Sequence, residues 1–199
     1  TYLIGTFQRD TEGSDLYRPK LVKGPDVLLE ILLGLKRRGL NVHAVLAGPR
    51  RHWLRARLLE HGIPFTFVGT PMEADDLEIN SLPRSTLNIL YNIVDLYIVA
   101  SRSEGGPHAI LEAASSRCKV ISTPVGMARD VLDPATVFGT PAEAAAIIER
   151  DILKGSLSFT LDRNEQRVQT RHTPEATRPL FEDLYRKLDS VGTCPPEAT

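Results

Sequence analysis

Residues 96–122 read LYIVASRSEGGPHAILEAASSRCKVIS, and their patterning decides the fold class. Leu96 to Ala100 is an apolar run of strand length, Pro107 to Arg117 has helical composition, and Lys119 to Ser122 is strand-like again. Strand, helix and strand in such quick succession describe two parallel strands joined by a right-handed helical crossover. The same alternation extends outward. Tyr2 to Phe7, Val42 to Ala47, Pro64 to Val68 and a short Thr136 to Phe138 read as further strands. Between them, Pro25 to Arg38, Trp53 to His61 and Ser85 to Ile93 read as helices, followed by a turn at Met127 to Leu132. In the first of these, Val27, Leu28, Ile31, Leu32 and Leu35 fall on one face, and Gly39 stops it. Ala142 to Leu153 and Pro174 to Leu188 are helical, and Asp10 to Lys20 reads as a long polar loop. The expected fold is α/β, a doubly wound, Rossmann-like parallel sheet of about six strands with helices on both faces.

Composition narrows the functions open to such a domain. With 24 Lys and Arg against 25 Asp and Glu, the net charge is -1, which removes any general electrostatic case for nucleic acid or an anionic membrane. Cys118 and Cys194 are too few for a disulfide framework or a zinc site, so a reducing, cytoplasmic setting is expected. His43, His52, His61 and His172 have no metal-ligand spacing, and no metal is expected. The longest apolar stretches fall well short of a bilayer span. The 199 residues suit one domain, expected over 1–190, with 191–199 a frayed, disordered tail. The chain opens on Thr1 and runs at once into a strand, so it is expected to be part of a longer protein.

In a doubly wound sheet, ligands bind beyond the carboxyl ends of the strands. Ser103 to Glu112 occupies that edge. Gly105 and Gly106 let the backbone approach a ligand, and Pro107 suits the first position of a helix whose free N–H groups attract an anion. Glu104 precedes the turn and Glu112 follows after seven intervening residues, on a helix expected to be largely buried. Glu104 as a cap and Glu112 as a solvated helix residue explain the pair equally well on residue type alone. Lys23 stands just before a helix at the same edge; Arg9 lies in the loop after the first strand, where an exposed charge is the alternative. Gly48-Pro49-Arg50-Arg51 ends the second strand, near a base or phosphate or simply as a capped turn. Ser103 is open to a capping role.

Several of these residues resemble the C-terminal half of retaining GT-B glycosyltransferases, family 4 or group 1 type. The resemblance rests on the Glu104 to Glu112 spacing, on Ala113-Ala114, and on Lys119 to Met127. It extends to Val94 to Ser101 as the approach strand and to Val22-Lys23-Gly24-Pro25-Asp26 as a Lys-Gly element, in the family's order. The resemblance implies a nucleoside-diphosphate sugar donor, a hexose-type sugar, no metal or other cofactor, and an acceptor held by an N-terminal domain absent here. It implies that Glu112 binds the ribose hydroxyls, that Glu104 binds the donor sugar, and that the backbone from Gly105 through Gly106, Pro107 and His108 to Ala109 wraps sugar and phosphates. Lys23 would hold the diphosphate with an arginine partner, neutralising the leaving group. The family places that arginine directly after the first-strand glycine, where this chain has Thr6; Arg9 is assigned the role, with Arg18 and Lys20 in competition. Thr70, after the third strand, falls where the family's base-binding backbone lies. The last helix, with Leu180, Phe181, Leu184, Tyr185 and Leu188, has core spacing, and its face is expected to be partly exposed without the other half. The chain alone should bind donor and hardly transfer. The alternatives are a non-catalytic nucleotide-sugar-binding module, or an epimerase or hydrolase on a related two-lobed fold.

Overall fold

The computed structural model describes residues 1–13 and 15–191, without the side chains of 190 and 191. Five parallel strands form the sheet: β1 (Tyr2–Thr6), β4 (Val42–Ala47), β5 (Phe65–Val68), β6 (Leu96–Val99) and β7 (Val120–Ser122). Their order is β5-β4-β1-β6-β7. The chain winds outward from β1 to β5 and then crosses back to β6, so the gap between β1 and β6 is the topological switch point.

Both faces of the sheet are covered because its strands are apolar on both. Leu96 and Ile98 enter one core with β4 and with α1 (Pro25–Arg37), α2 (His52–Glu60) and α6 (Pro141–Lys154). Tyr97 and Val99 enter the other with α3 (Arg84–Ile93), α4 (His108–Ser115), α5 (Ala128–Val131) and α7 (Thr160–Arg171). All four of these β6 side chains are at most 1% exposed, each contributing on the order of 2 kcal/mol of hydrophobic stabilisation. α1 is buried along Leu28, Ile31, Leu32 and Leu35, the predicted stripe. Cys118 is buried, and burial pushes its thiol up to about 12.

Three expectations are corrected. The sheet has five strands where about six were expected, because Thr136 to Phe138 forms no strand: Val137 makes only an isolated parallel bridge to Ser122. The preceding residues Pro134–Thr136 form a 3-10 turn capped by Asp133, which spends the amides a ladder would need. The polar loop after β1 is in fact an antiparallel hairpin of β2 (Thr11–Glu12) and β3 (Asp15–Pro19). Within β3 the Asp15 side chain accepts from the amides of Tyr17 and Arg18. Pro107 lies one residue before the first turn of α4 rather than in it. The final helix, α8 (Pro174–Val191), exposes Leu180, Phe181, Leu184, Tyr185 and Leu188. The tail expected from 191 falls, beyond Val191, outside the described residues.

Candidate active site

The site is built where β1 and β6 end. After β1 and the hairpin, a 3-10 turn (Leu21–Lys23) delivers Lys23, and Gly24 starts α1 in the left-handed region at φ +64°. A Cβ on Gly24 would lie 1.9 Å from the carbonyl oxygen of Ala100, so only glycine lets this turn pack against the end of β6. That contact brings Lys23 to the 101–107 loop. Lys23 Nζ donates to Glu104 Oε1 at 2.6 Å, and both side chains are largely buried. The Ser101 hydroxyl lies 2.8 Å from the same oxygen and 3.0 Å from Gln8 Oε1. Its single proton goes to the carboxylate, the stronger acceptor. Thr123 in turn donates to the Ser101 carbonyl at 2.5 Å. Arg102 is held outside the cleft by a bidentate pair with Asp26.

Beside Lys23, a small cavity is lined by Thr6, Gln8, Arg9, Asp10, Gly24 and Arg51, among others. Arg9 is exposed there and has no hydrogen bond or ion pair among the described residues. Arg51 is buried beneath it, with Asp10 beside it. Gly105 is exposed, Gly106 half-buried and Pro107 buried, and Ala109 packs against the second core. Ser103 does not cap α4, which carries no side-chain cap at all, so its first N–H groups point outward without a side-chain acceptor.

Glu112 differs from expectation: it is exposed. The buried face of α4 is Ile110, Ala113 and Ala114, and Glu112 projects to the other side. Its Oε2 accepts from the Tyr91 hydroxyl at 3.0 Å; burial above all, with Tyr97 and this carboxylate adding to it, drives that phenol's pKa upward. Tyr91 packs edge-on against Tyr97 and against Phe7, and the Phe7 amide donates to the Tyr97 hydroxyl. The aromatic cluster therefore links Glu112 to the end of β1. With His108, Arg84 and His172, Glu112 lines a groove of about 430 Å³ between α3, α4 and the start of α8. Lys23, Arg9 and Glu104 thus come together, while Glu112 and His108 form a neighbouring group.

Thr70 lies on the far side of the switch point. Its amide donates to Asn80 Oδ1 at 2.7 Å, and its carbonyl accepts from Asn80 Nδ2 at 3.0 Å. Asn80 also donates to Asp76 at 2.6 Å, and Asp76 accepts from the Arg50 amide at 2.7 Å. Arg50, left-handed at φ +56°, pairs bidentately with Asp75. These contacts pin the 69–83 segment to the end of β4 and engage the Thr70 main chain. Asn80→Ala should therefore lower the unfolding midpoint by about 4–8 °C, the equivalent of a buried polar network losing on the order of 2 kcal/mol. Hydrogen exchange should accelerate selectively over 69–83; an unchanged exchange pattern would refute the clasp.

Ser101, Gln8, Tyr91 and Asn80 escaped the sequence reading. Only Ser101 had a visible signal, a polar residue directly following a buried strand at the ligand edge. The others owe their positions to partners 10 to 93 residues away.

Among the described residues no group of three His, Cys, Asp or Glu side chains is arranged to hold a metal. None of their helices is long and apolar enough to cross a membrane. No curated protein sequence matches the chain significantly. Among solved structures, sucrose-phosphate synthase from Thermosynechococcus elongatus is similar over 96% of this chain and 46% of its own, with 20% identity and a TM-score of 0.70. The C-terminal domain of a glycosyl transferase group 1 family protein (LpcC) from Francisella tularensis is 23% identical over 87% of each chain, with a TM-score of 0.59. Anabaena Alr3699/HepE, solved in complex with UDP and glucose, is 18% identical over 95% of this chain and 48% of its own, with a TM-score of 0.65. The chain thus spans about half the length of two of these three. The family described as glycosyl transferases group 1 matches residues 17–154, a span that includes Lys23, Glu104, Glu112 and Thr70. The chain belongs to the group 1 glycosyl transferases.

Proposed function

We propose that this chain is the donor-binding half of a retaining glycosyltransferase that uses a nucleoside-diphosphate hexose, in a cytoplasmic setting and with no metal. The observation that carries the reading is the 2.6 Å pair of Lys23 and Glu104 at the switch point of the sheet, on the rim where such sheets bind nucleotides. Glu104 occupies the Lys23 ammonium in place of an anion. A diphosphate entering beside the uncapped start of α4 takes over Lys23, with Arg9 as second cation, and Glu104 is released toward the sugar hydroxyls. The Gly105 to Ala109 backbone borders both. Glu112, reached along the α3–α4 groove, accepts from the ribose. As the bond from sugar to diphosphate breaks, Lys23 and Arg9 stabilise the charge on the leaving group, and the acceptor approaches from a domain outside this chain. The similarity to a structure solved with UDP and glucose supports a nucleotide-sugar donor.

Calorimetry of this chain with UDP, GDP and ADP tests the reading. At least one should bind, and Lys23→Met should weaken it about ten- to a hundredfold, the value of a charge-assisted hydrogen bond to phosphate. Absence of binding by all three overturns the proposal. Multiple-turnover transfer by this chain alone overturns the division of labour between two halves.

A further inference from the structure

The cavity beside Lys23 contains an ion pair whose geometry stability does not explain. The side chains of Arg51 and Asp10 are 2% and 3% exposed, yet Nε and Oδ2 stand 3.5 Å apart, too far for a good hydrogen bond. Nε and Nη2 of Arg51 lack hydrogen-bond partners, and the Asp10 carboxylate faces the N–H groups of Trp53 and Leu54 at the start of α2 without a well-formed hydrogen bond to either. Burial pushes Asp10 up to about 6 even beside the guanidinium. A buried pair so loosely made recovers little of its desolvation, and apolar side chains of similar size would pack at least as well. Its position is more informative. The Asp10 amide donates to the Arg50 carbonyl at 3.0 Å, and the Asp10 carbonyl accepts from the Lys20 amide at 2.8 Å. Main-chain bonds and the side-chain pair together therefore join the segment carrying Arg9 to the start of α2. Arg51 also lines the same cavity as Arg9, Lys23 and Gly24. At about 10 Å³ that cavity has room for about one water molecule, and Arg51, almost fully buried, is held behind the surface rather than on it.

We propose that Arg51 is a positioning residue of the phosphate end of the donor site, a buried cation that holds the Arg9 segment in place through Asp10. The proposal rests on the donor-binding reading above. In these dry surroundings the attraction between the two charges is stronger than it would be on the surface. The other ionisable groups facing the pair are His52 beside Asp10 and Tyr97 beside Arg51; Glu104 bears on the cavity through Lys23.

The decisive variant is Asp10→Asn/Arg51→Met, which removes both charges, leaves the net charge unchanged, and keeps an amide facing the N–H groups of Trp53 and Leu54. Its unfolding midpoint should equal or exceed that of the wild type. Its Kd for the tightest binder among UDP, GDP and ADP should rise about tenfold at about pH 8, above the titration of the terminal phosphate. Arg51→Lys, which keeps the charge, should stay within about threefold of wild type. Wild-type affinity in the folded double variant, or a tenfold loss in Arg51→Lys, overturns the proposal. A wild-type chain that binds none of the three diphosphates removes the donor reading itself, a failure distinct from loss of the Arg51 role.

Discussion

Gly24→Ala is expected to cost this chain about 4 kcal/mol or more, enough to lower the unfolding midpoint by more than about 8 °C. Two causes add. The residue sits at φ +64°, where an L side chain is strained by about 1–2 kcal/mol. Its Cβ would also fall 1.9 Å from the Ala100 oxygen and 2.7 Å from the Ala100 carbonyl carbon, backbone atoms that cannot turn aside. Relief requires the Leu21–Lys23 turn to lift from the end of β6, and the turn takes Lys23 away from Glu104. Binding of a nucleoside diphosphate should therefore fall with stability. Gly39→Ala is the control: it shares a positive φ of +70°, but a Cβ there meets nothing within 4 Å. It should cost only the conformational strain, about 2–8 °C. Equal losses from the two substitutions would show that the close approach to Ala100 is not what the position requires.

The second large effect separates the two glutamates. Glu112→Gln retains an oxygen to accept from Tyr91, so the fold should be unaffected while hydrogen bonds to ribose lose their charge. Hydrogen bonds to a charged group contribute about 1.5–3 kcal/mol, so affinity should drop about ten- to a hundredfold for nucleoside diphosphate and nucleotide sugar alike. Glu104→Gln should act otherwise. It removes the anion that holds Lys23, so the bare diphosphate should bind as well as to wild type or better, while the nucleotide sugar loses affinity through its hydroxyl contacts. Calorimetry with both ligands on both variants measures the contrast, with unfolding midpoints as the check on structure. Should both variants bind both ligands like wild type, the carboxylates are structural and the proposed roles fail.

The fold class was legible because its signals are local. The alternation within 96–122, the stripe of Leu28, Ile31, Leu32 and Leu35, and the Lys-Gly-Pro start of α1 each follow from the conformational preferences of a few adjacent residues. Glu104 and Lys23 were legible as candidates for the same reason, since a strand end followed by a helix start defines the ligand edge. The sixth strand was lost to a capped 3-10 turn that competes for the same amides. The polar stretch after β1 became a hairpin through pairing of Thr11 with Pro19 and Glu12 with Asp15, which charge composition does not reveal.

What the sequence by itself determined is the parallel α/β architecture, the edge at which sheets of this kind take ligands, and the residue types gathered there, all consequences of short-range periodicity and turn chemistry. Tertiary structure alone decided which of those residues meet. Lys23 finds Glu104 across 81 residues because Gly24 presses on Ala100, and Arg51 is buried beneath Arg9 because β4 lies next to β1. Glu112 faces outward to Tyr91 because Ile110, Ala113 and Ala114 compete successfully for the core. Each of these outcomes depends on packing between segments remote in the chain, and no local preference encodes which partner a side chain will meet when the sheet closes.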